Sequence, residues 1–374
     1  MVEDQYGELH PQIDDNLCVK CGMCEKVCPE LKQNNLHRNG EPKIYACWLK
    51  NSEHRKESTS GGAAFAISSA VIRQRGHVWG AAYGKDMYLT YIEANTLEEL
   101  KAIQKSKYTQ CHVEEAFKTI KNELDSGDLV LFTGTGCHVK GLRSFLRKDY
   151  PNLMTADLVC HGVPGQGVFR KYKEHLEAKF NDEMLTYIPR PKRNVDGQEG
   201  QYYSLAYFKN KGNIKMEKNN NSYFIGFQHN LFLRSACHHC QSNGKERYSD
   251  FTLADFWGLG KIAPFIHPYK ERTLGVSMLA LNSSKALAFF EEFKKDLNYE
   301  LRSYKEASIS NTQYYKSAIP SPYRDEFRND FFNHSWEELA SKYMKFSMKE
   351  YILYIIKKFT PPICYYMLNN WRNG

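Results

Sequence analysis

Four cysteines within eleven residues, Cys18-x2-Cys21-x2-Cys24-x3-Cys28, followed at once by Pro29, constrain this chain more than any other feature. This is the run with which bacterial ferredoxins hold a [4Fe–4S] cluster. A cubane needs four thiolates arriving from different directions. Two-residue gaps let one tight loop wrap three corners, and Gly22 permits the turn. A zinc loop would instead favour two CxxC pairs some 15 to 20 residues apart. In two-cluster ferredoxins the fourth cysteine of such a run ligates the other cluster, and no second run of the same kind exists here. Tyr6-Gly7-Glu8-Leu9-His10-Pro11 looks like the linker between the halves of a two-cluster ferredoxin. Three readings stay open: an N-terminal half is missing, Cys28 closes the same cluster, or Cys28 meets a different one.

The total of 11 cysteines is odd, which fits a disulfide framework poorly. Met1-Val2-Glu3-Asp4-Gln5 has neither the basic start nor the apolar stretch of a secretory signal, so a reducing, cytoplasmic setting is expected. Clustered thiols there point to metal or redox chemistry. Length and composition agree with a globular protein: 374 residues suggest two or three domains, and 42% hydrophobic with 25% charged residues exclude general disorder. The net charge of +8 is modest for this length and calls for no nucleic acid. No apolar run reaches the roughly 18 residues of a membrane span.

Residues 1–40 read as a polar, ferredoxin-type [4Fe–4S] segment. From there strands and helices alternate, which predicts an α/β fold, a mixed-sheet α+β body. Gly61 to Ile72 reads as a Gly-rich turn opening an apolar helix, with Gly76 as its stop; His77–Tyr83 reads as a strand and 113–124 as a helix. Asp128–Gly134 and Thr155–Cys160 read as buried strands, with a helix over 140–147 between them. Residues 189–222, rich in Lys, Asn, Gly and Gln, predict exposed loops and a hairpin, and Ser249–Phe256 one more strand. The expected division is 1–40, then 41–128 and 129–330 as two parts of one reductase domain, then a basic amphipathic tail, 331–374. From Ser341 onward six cations face the single acid Glu350, and Tyr351 to Ile356 supply an apolar patch before Pro361-Pro362. Such a segment suits either a terminal helix docked on its own core or peripheral contact with the inner face of a membrane.

Four further cysteines stand at predicted strand ends or in turns: Cys137, Cys160, and the pair Cys237 and Cys240. Ligands collect at the carboxyl ends of strands in open α/β sheets. A CxxC with two remote cysteines can make a four-sulfur site for zinc or for a second Fe–S cluster. The alternative is scattered buried cysteines acting as small hydrophobes. Cys47, close behind the ferredoxin run, is a candidate replacement ligand.

The chain resembles the coenzyme F420 hydrogenase/dehydrogenase β-subunit family, which includes 7-hydroxymethyl chlorophyll a reductase and bacterial polysaccharide-cluster reductases. The stretches that carry the resemblance are the ferredoxin run, Ser58-Thr59-Ser60-Gly61-Gly62, Ser106 to Gln110, the turn Thr133 to His138, Cys160-His161-Gly162-Val163-Pro164, Cys237 to Cys240, and Asp255-Phe256-Trp257-Gly258, in family order. There are departures. The turn reads Gly134-Thr135-Gly136-Cys137-His138 where the family usually has Gly-Thr-Pro-Cys-Gln, and Pro164 is followed by Gly165-Gln166 rather than Ser-Pro.

The resemblance implies an FAD-containing iron–sulfur oxidoreductase with one or two [4Fe–4S] clusters, the second on Cys137, Cys160, Cys237 and Cys240. Electrons would come from a ferredoxin or another donor and reduce a small organic substrate; neighbouring surface-polysaccharide genes of relatives suggest a sugar or lipid-linked glycan precursor. Ser58, Ser60, Gly61 and Gly62 would cradle the FAD pyrophosphate at a helix N-terminus, or form a plain N-cap. Lys107 would face a phosphate or the reduced flavin, or simply solvent; Tyr108 would stack on the flavin or fill the core. Gly134 and Thr135 would line the cofactor. His138 and His161 would relay the proton of hydride chemistry, or hydrogen-bond a backbone carbonyl. Trp257 and Phe256 are expected in the core. Two rival readings remain: an electron-transfer subunit of a larger complex without its own substrate site, and a zinc-stabilised binding module.

Overall fold

The computed structural model describes residues 1–28, 30–31, 39–192, 203–260 and 263–359. Pro29, most of the polar loop after Lys192, and the tail from residue 360 with Pro361-Pro362, Cys364 and Arg372 lie outside the described residues.

After a small N-terminal ribbon pairing Val2–Glu3 with Leu9–His10, the strands in chain order are β1 (Lys43–Leu49), β2 (His77–Tyr83), β3 (Leu89–Ala94), β4 (Val130–Thr135), β5 (Leu153–Leu158), β6 (Met184–Ile188), β7 (Tyr203–Phe208), β8 (Gly212–Glu217), β9 (Phe251–Asp255), β10 (Ser277–Leu281) and β11 (Leu297–Arg302). The helices used below are α1 (Met23–Val27), α2 (Ala63–Arg73), α3 (Ala116–Ser126), α4 (Gly136–Leu146), α5 (Gln166–Phe180), α6 (Ser284–Phe293), α7 (Trp336–Tyr343) and α8 (Met348–Phe359).

An eight-stranded sheet runs β11-β1-β10-β9-β5-β4-β2-β3. Its middle is parallel, with β9 on β5, β5 on β4 and β4 on β2. Both flanks are antiparallel. The expected mixed sheet with helices is therefore what forms. Parallel strands must be covered on both faces, and Val130-Leu131-Phe132 of β4 is apolar throughout and buried. Leu131 packs with Ile67 and Val71 of α2 and Phe293 of α6; Phe132 packs on the other face with Ile120 of α3 and Leu142 of α4.

A second, antiparallel sheet, β8-β7-β6, stands beside the first. Its core joins Tyr172 of α5, Tyr187 of β6, Tyr223 and Trp336 of α7. Among the described residues no helix is long and apolar enough to cross a membrane.

Two boundaries bear on the site. The helix expected over 140–147 begins earlier, at Gly136, so Cys137 sits in the first turn of α4. Gly136 is glycine because a Cβ there would meet the Ser242 Cβ at 2.8 Å. The strand expected to reach Cys160 ends at Leu158, which leaves Cys160 on the loop just beyond the carboxyl end of β5.

Candidate iron–sulfur centre

The ferredoxin-type run folds as a loop entering the single-turn helix α1. Gly22 is its N-cap with φ of 67°, and a Cβ there would meet nothing within 4 Å, so the glycine answers to backbone conformation and not to crowding. The Cys18 N–H donates to the Asp14 carbonyl at 2.9 Å. Cys21 and Cys24 are exposed; Cys18 and Cys28 are half-buried.

The body grips this segment at both ends. At the near end Gly7 presses on the start of α5: its missing Cβ would stand 2.0 Å from the Gly167 nitrogen, and the Gln166 N–H donates to the Gly7 carbonyl at 3.1 Å. The departure Gly165-Gln166 is explained here. Gly165 leaves room for the Tyr6 carbonyl, 2.4 Å from where a Cβ would be, and the Gln166 amide clamps both backbone groups of Leu89. The buried Glu8 carboxylate accepts from Arg328 Nη1 at 2.8 Å, with Arg234 Nε 3.9 Å away. At the far end Gln241 Nε2 donates to the Glu30 carbonyl at 3.4 Å, and α1 lies on α4, with Arg147 reaching the Met23 sulfur at 3.9 Å.

Gln241 follows directly on the second set of cysteines. Cys137 enters with α4, Cys160 from the end of β5, and Cys237 and Cys240 from the turn over Ser235–His239 and the residue after it. The fold brings all four together. Burial raises the pKa of Cys137, Cys160 and Cys237 (the last to about 11), and every pair among the four contributes mutual charge repulsion on top. Each sulfur also has a hydrogen-bond partner. Thr135 Oγ1 lies 3.1 Å from Cys137, the Gly162 N–H donates to Cys160 at 3.4 Å, the Val163 N–H to Cys237 at 3.5 Å, and the Ser242 N–H to Cys240 at 3.4 Å. Four converging sulfurs ringed by donors fit a cluster: the metal deprotonates the thiols, and hydrogen bonds to sulfur tune its potential. Among the described residues no three cysteine sulfurs lie mutually within 4.8 Å.

The residues expected around a flavin disperse into three places. His138 and His161 flank the cysteines. His138 Nδ1 meets the Tyr91 hydroxyl at 2.7 Å, and burial pushes its pKa down to about 4. His161 packs 4.9 Å from the Phe227 ring, and burial lowers its pKa too. Tyr108 stacks on the other side of this group, parallel to Phe227 at 4.6 Å. Gly134 packs against the Tyr91 hydroxyl and the Phe132 ring. Lys107, pushed down to about 7 by burial, donates to the Ala102 and Gln104 carbonyls at 3.2 and 2.6 Å at the end of the short helix Leu100–Ile103.

The turn before α2 lies elsewhere on the sheet. Ser58 and Ser60 donate to the His54 and Val276 carbonyls at 2.8 and 3.0 Å. Gly61 abuts the Cys47 carbonyl and the Ser277 nitrogen, and Gly62 the Leu49 side chain. These hydroxyls and glycines are engaged in packing; the buried Thr59 Oγ1 has no partner. Cys47 is fully buried in β1, far from solvent, with a pKa raised to about 12 by burial. Phe256 is buried as expected, but Trp257 is 41% exposed with Arg190 over its ring at 5.2 Å.

Sequence reasoning missed Arg190, Lys192 and Arg234. Arg190 pairs with Asp255 at 2.5 Å and hydrogen-bonds Tyr108. Lys192 donates to the Arg55 and Ser60 carbonyls at 2.6 and 2.5 Å, and burial pushes its pKa down to about 7. Together they link the turn before α2 to Tyr108. Their place beside a polar loop gave no local signal.

Residues 127–307 match the family model for the C terminus of the β subunit of coenzyme F420 hydrogenase/dehydrogenase. Residues 10–33 match a 4Fe–4S binding domain. The stretch between, with Ser58–Gly62 and Ser106–Gln110, falls outside both matches. No curated protein matches the chain. Among solved structures, a chain of the F420-reducing [NiFe] hydrogenase complex from Methanosarcina barkeri, studied by xenon derivatization, is similar at 13% identity with a TM-score of 0.46, over 71% of this chain and 83% of that one. Behind a 4Fe–4S binding domain at residues 10–33, residues 127–307 of the chain are thus similar to the C terminus of the coenzyme F420 hydrogenase/dehydrogenase β subunit.

Proposed function

We propose that this protein is a two-cluster iron–sulfur oxidoreductase in which electrons enter through the N-terminal segment and pass to the centre at the carboxyl ends of β4 and β5. The observation that carries the reading is the contact between the two cysteine sets. Glu30, two residues beyond Cys28, meets Gln241, one residue beyond Cys240, and Glu30 also acts electrostatically on Cys137. Cys18, Cys21, Cys24 and Cys28 would hold the first cluster, and Cys137, Cys160, Cys237 and Cys240 the second. A bound [4Fe–4S] cluster takes up and releases one electron. The chain supplies the rest: exposed Cys21 and Cys24 face a donor such as a ferredoxin, and the hydrogen-bond donors around the half-buried inner four sulfurs set their charge.

FAD as the final carrier, and a small organic substrate, rest on the family resemblance. The groups that favour an anionic, aromatic ligand near the inner cysteines are Arg190, Lys192, Tyr108 and Trp257. In this reading 1–40 is the electron entry, and 41–128 with 129–330 form one reductase body, since β1, β2 and β3 of the first part share a sheet with the strands of the second.

The test is anaerobic purification followed by iron, sulfide and flavin analysis of one sample, on the chain and on Cys21→Ser and Cys240→Ser. Two clusters predict about eight irons per chain, falling to about four in either variant with the other cluster's paramagnetic signal retained. One FAD per chain supports the flavoprotein reading. Iron without flavin leaves the electron-transfer subunit standing, and zinc with neither overturns the proposal.

A further inference from the structure

The terminal helix α8 is docked with its apolar side outward. Ser347 caps it, donating to and accepting from Glu350, and the same Glu350 meets His229 Nε2 at 2.8 Å. One turn on, Tyr354 is only 4% exposed and donates to the Glu217 carboxylate at 3.1 Å. Its ring also approaches Phe346 at 6.1 Å. The helix is therefore held by Tyr354, the half-buried Ile355 next to it and a half-buried acid–histidine pair, and not by the rest of its hydrophobes.

Those point the other way. Met348, Ile352 and Ile356 recur every fourth residue along one line. They are 75%, 50% and 47% exposed, and Tyr351 and Leu353 flank them in the open. Ile352 stands about 200° around the helix axis from Tyr354. An amphipathic helix on a globular body normally does the reverse and turns its apolar stripe to the core. Exposed Lys345 precedes the helix, exposed Lys349 stands in its first turn next to Met348, and Lys357 and Lys358 follow in sequence. Glu350, the segment's sole acid, is already matched by His229.

We infer that α8 is a peripheral anchor that lays this outward stripe into the surface of an anionic lipid bilayer. Charge complementarity selects that occupant: Lys342 is matched by Asp330 at 2.8 Å, but exposed Lys345 and Lys349 are followed in sequence by Lys357 and Lys358 with Glu350 as the one acid from Ser341 onward, and each lysine near an anionic surface adds attraction that salt screens. Length excludes a span, since twelve residues rise about 18 Å against a ~30 Å hydrocarbon core.

The test is co-sedimentation of the full, cluster-loaded chain with phosphatidylcholine vesicles with and without phosphatidylglycerol. Binding is expected only to the anionic vesicles and should be released by high salt. Lys345→Gln with Lys349→Gln should weaken it on the order of 10- to 30-fold. Ile352→Ser with Ile356→Ser should weaken it about as much, with iron content and melting temperature unchanged because neither side chain is part of the core. Absence of binding, equal binding to neutral vesicles, or binding indifferent to both double variants overturns the inference. So does a concentration-dependent dimer in ultracentrifugation that the isoleucine variant abolishes while vesicles stay unbound, which would assign the stripe to a second copy of the chain.

Discussion

The Tyr91 hydroxyl lies 2.7 Å from Nδ1 of His138, tying the edge strand β3 to the first turn of α4, one residue past Cys137. Burial keeps the phenol protonated and the imidazole neutral, so the bond joins two uncharged groups. The Phe132 ring closes one side at 4.8 Å. Tyr91→Phe keeps the ring but leaves a buried imidazole nitrogen unpaired. The expected cost is about 1–3 kcal/mol, read as a lower melting temperature at unchanged iron content. An unchanged melting temperature would show that the bond contributes nothing to holding this end of the helix.

The N-terminal segment is seated by absence of side chains. A Cβ on Gly167 would stand 2.6 Å from the Tyr6 carbonyl carbon and 2.8 Å from the Gly7 nitrogen, all backbone atoms that cannot step aside. Gly167→Ala should therefore push the segment off α5, at a cost of about 1–3 kcal/mol. Limited proteolysis should then cut within the first 40 residues while the body stays intact. Equal protease resistance of variant and wild type would mean that Glu8 and Arg328, 2.8 Å apart, hold the segment without the glycine contact.

Much of this arrangement was legible in the chain because it is local. The ferredoxin spacing, the β4 run Val130-Leu131-Phe132 and the α2 helix each declare themselves within a dozen residues. What stayed hidden depends on distant partners. β1 and β10 lie side by side in the sheet, Ile44 opposite Ala280, yet Ile44-Tyr45-Ala46-Cys47 carries neither clean alternation nor a turn signal. Gly61 looks like a phosphate turn in sequence, but it is glycine because Cys47 and Ser277, 14 and 216 residues away, pass against it. Arg190 and Arg234 acquire meaning only from Asp255 and Glu8.

A pH signature is expected at the start of β2. His77 Nδ1 lies 2.5 Å from Glu93 and 3.9 Å from Glu123, and its Nε2 lies 3.8 Å from Asp128. Burial alone would lower its pKa, but the three carboxylates outweigh burial and the net shift is upward. A raised folded-state pKa gives stability that is complete below the ordinary histidine value of about 6.5 and is lost as pH rises through the folded value. His77→Gln should thus lower the melting temperature below about pH 6, by the equivalent of roughly 0.5–1 kcal/mol, and should match wild type in alkaline buffer. A deficit that grows with pH would contradict this assignment.

Arg234 bears on the inner cysteines through charge. Its guanidinium favours the thiolates of Cys137 and Cys237, lowering both pKa values against the rise from burial. Its Nε is buried without a hydrogen-bond partner. A fixed cation beside a cluster stabilises the form carrying the extra electron. Arg234→Leu keeps the bulk and deletes the charge, so the inner cluster's reduction potential should fall by on the order of 50 mV. The N-terminal cluster, on cysteines that are exposed or half-buried, should keep its own potential. Redox titration followed by electron paramagnetic resonance separates the two signals. A fall in both would point to general loosening of the fold, since Arg234 also stands 3.9 Å from Glu8 of the N-terminal segment. A fall in the inner signal alone identifies the arginine as the group that sets its potential.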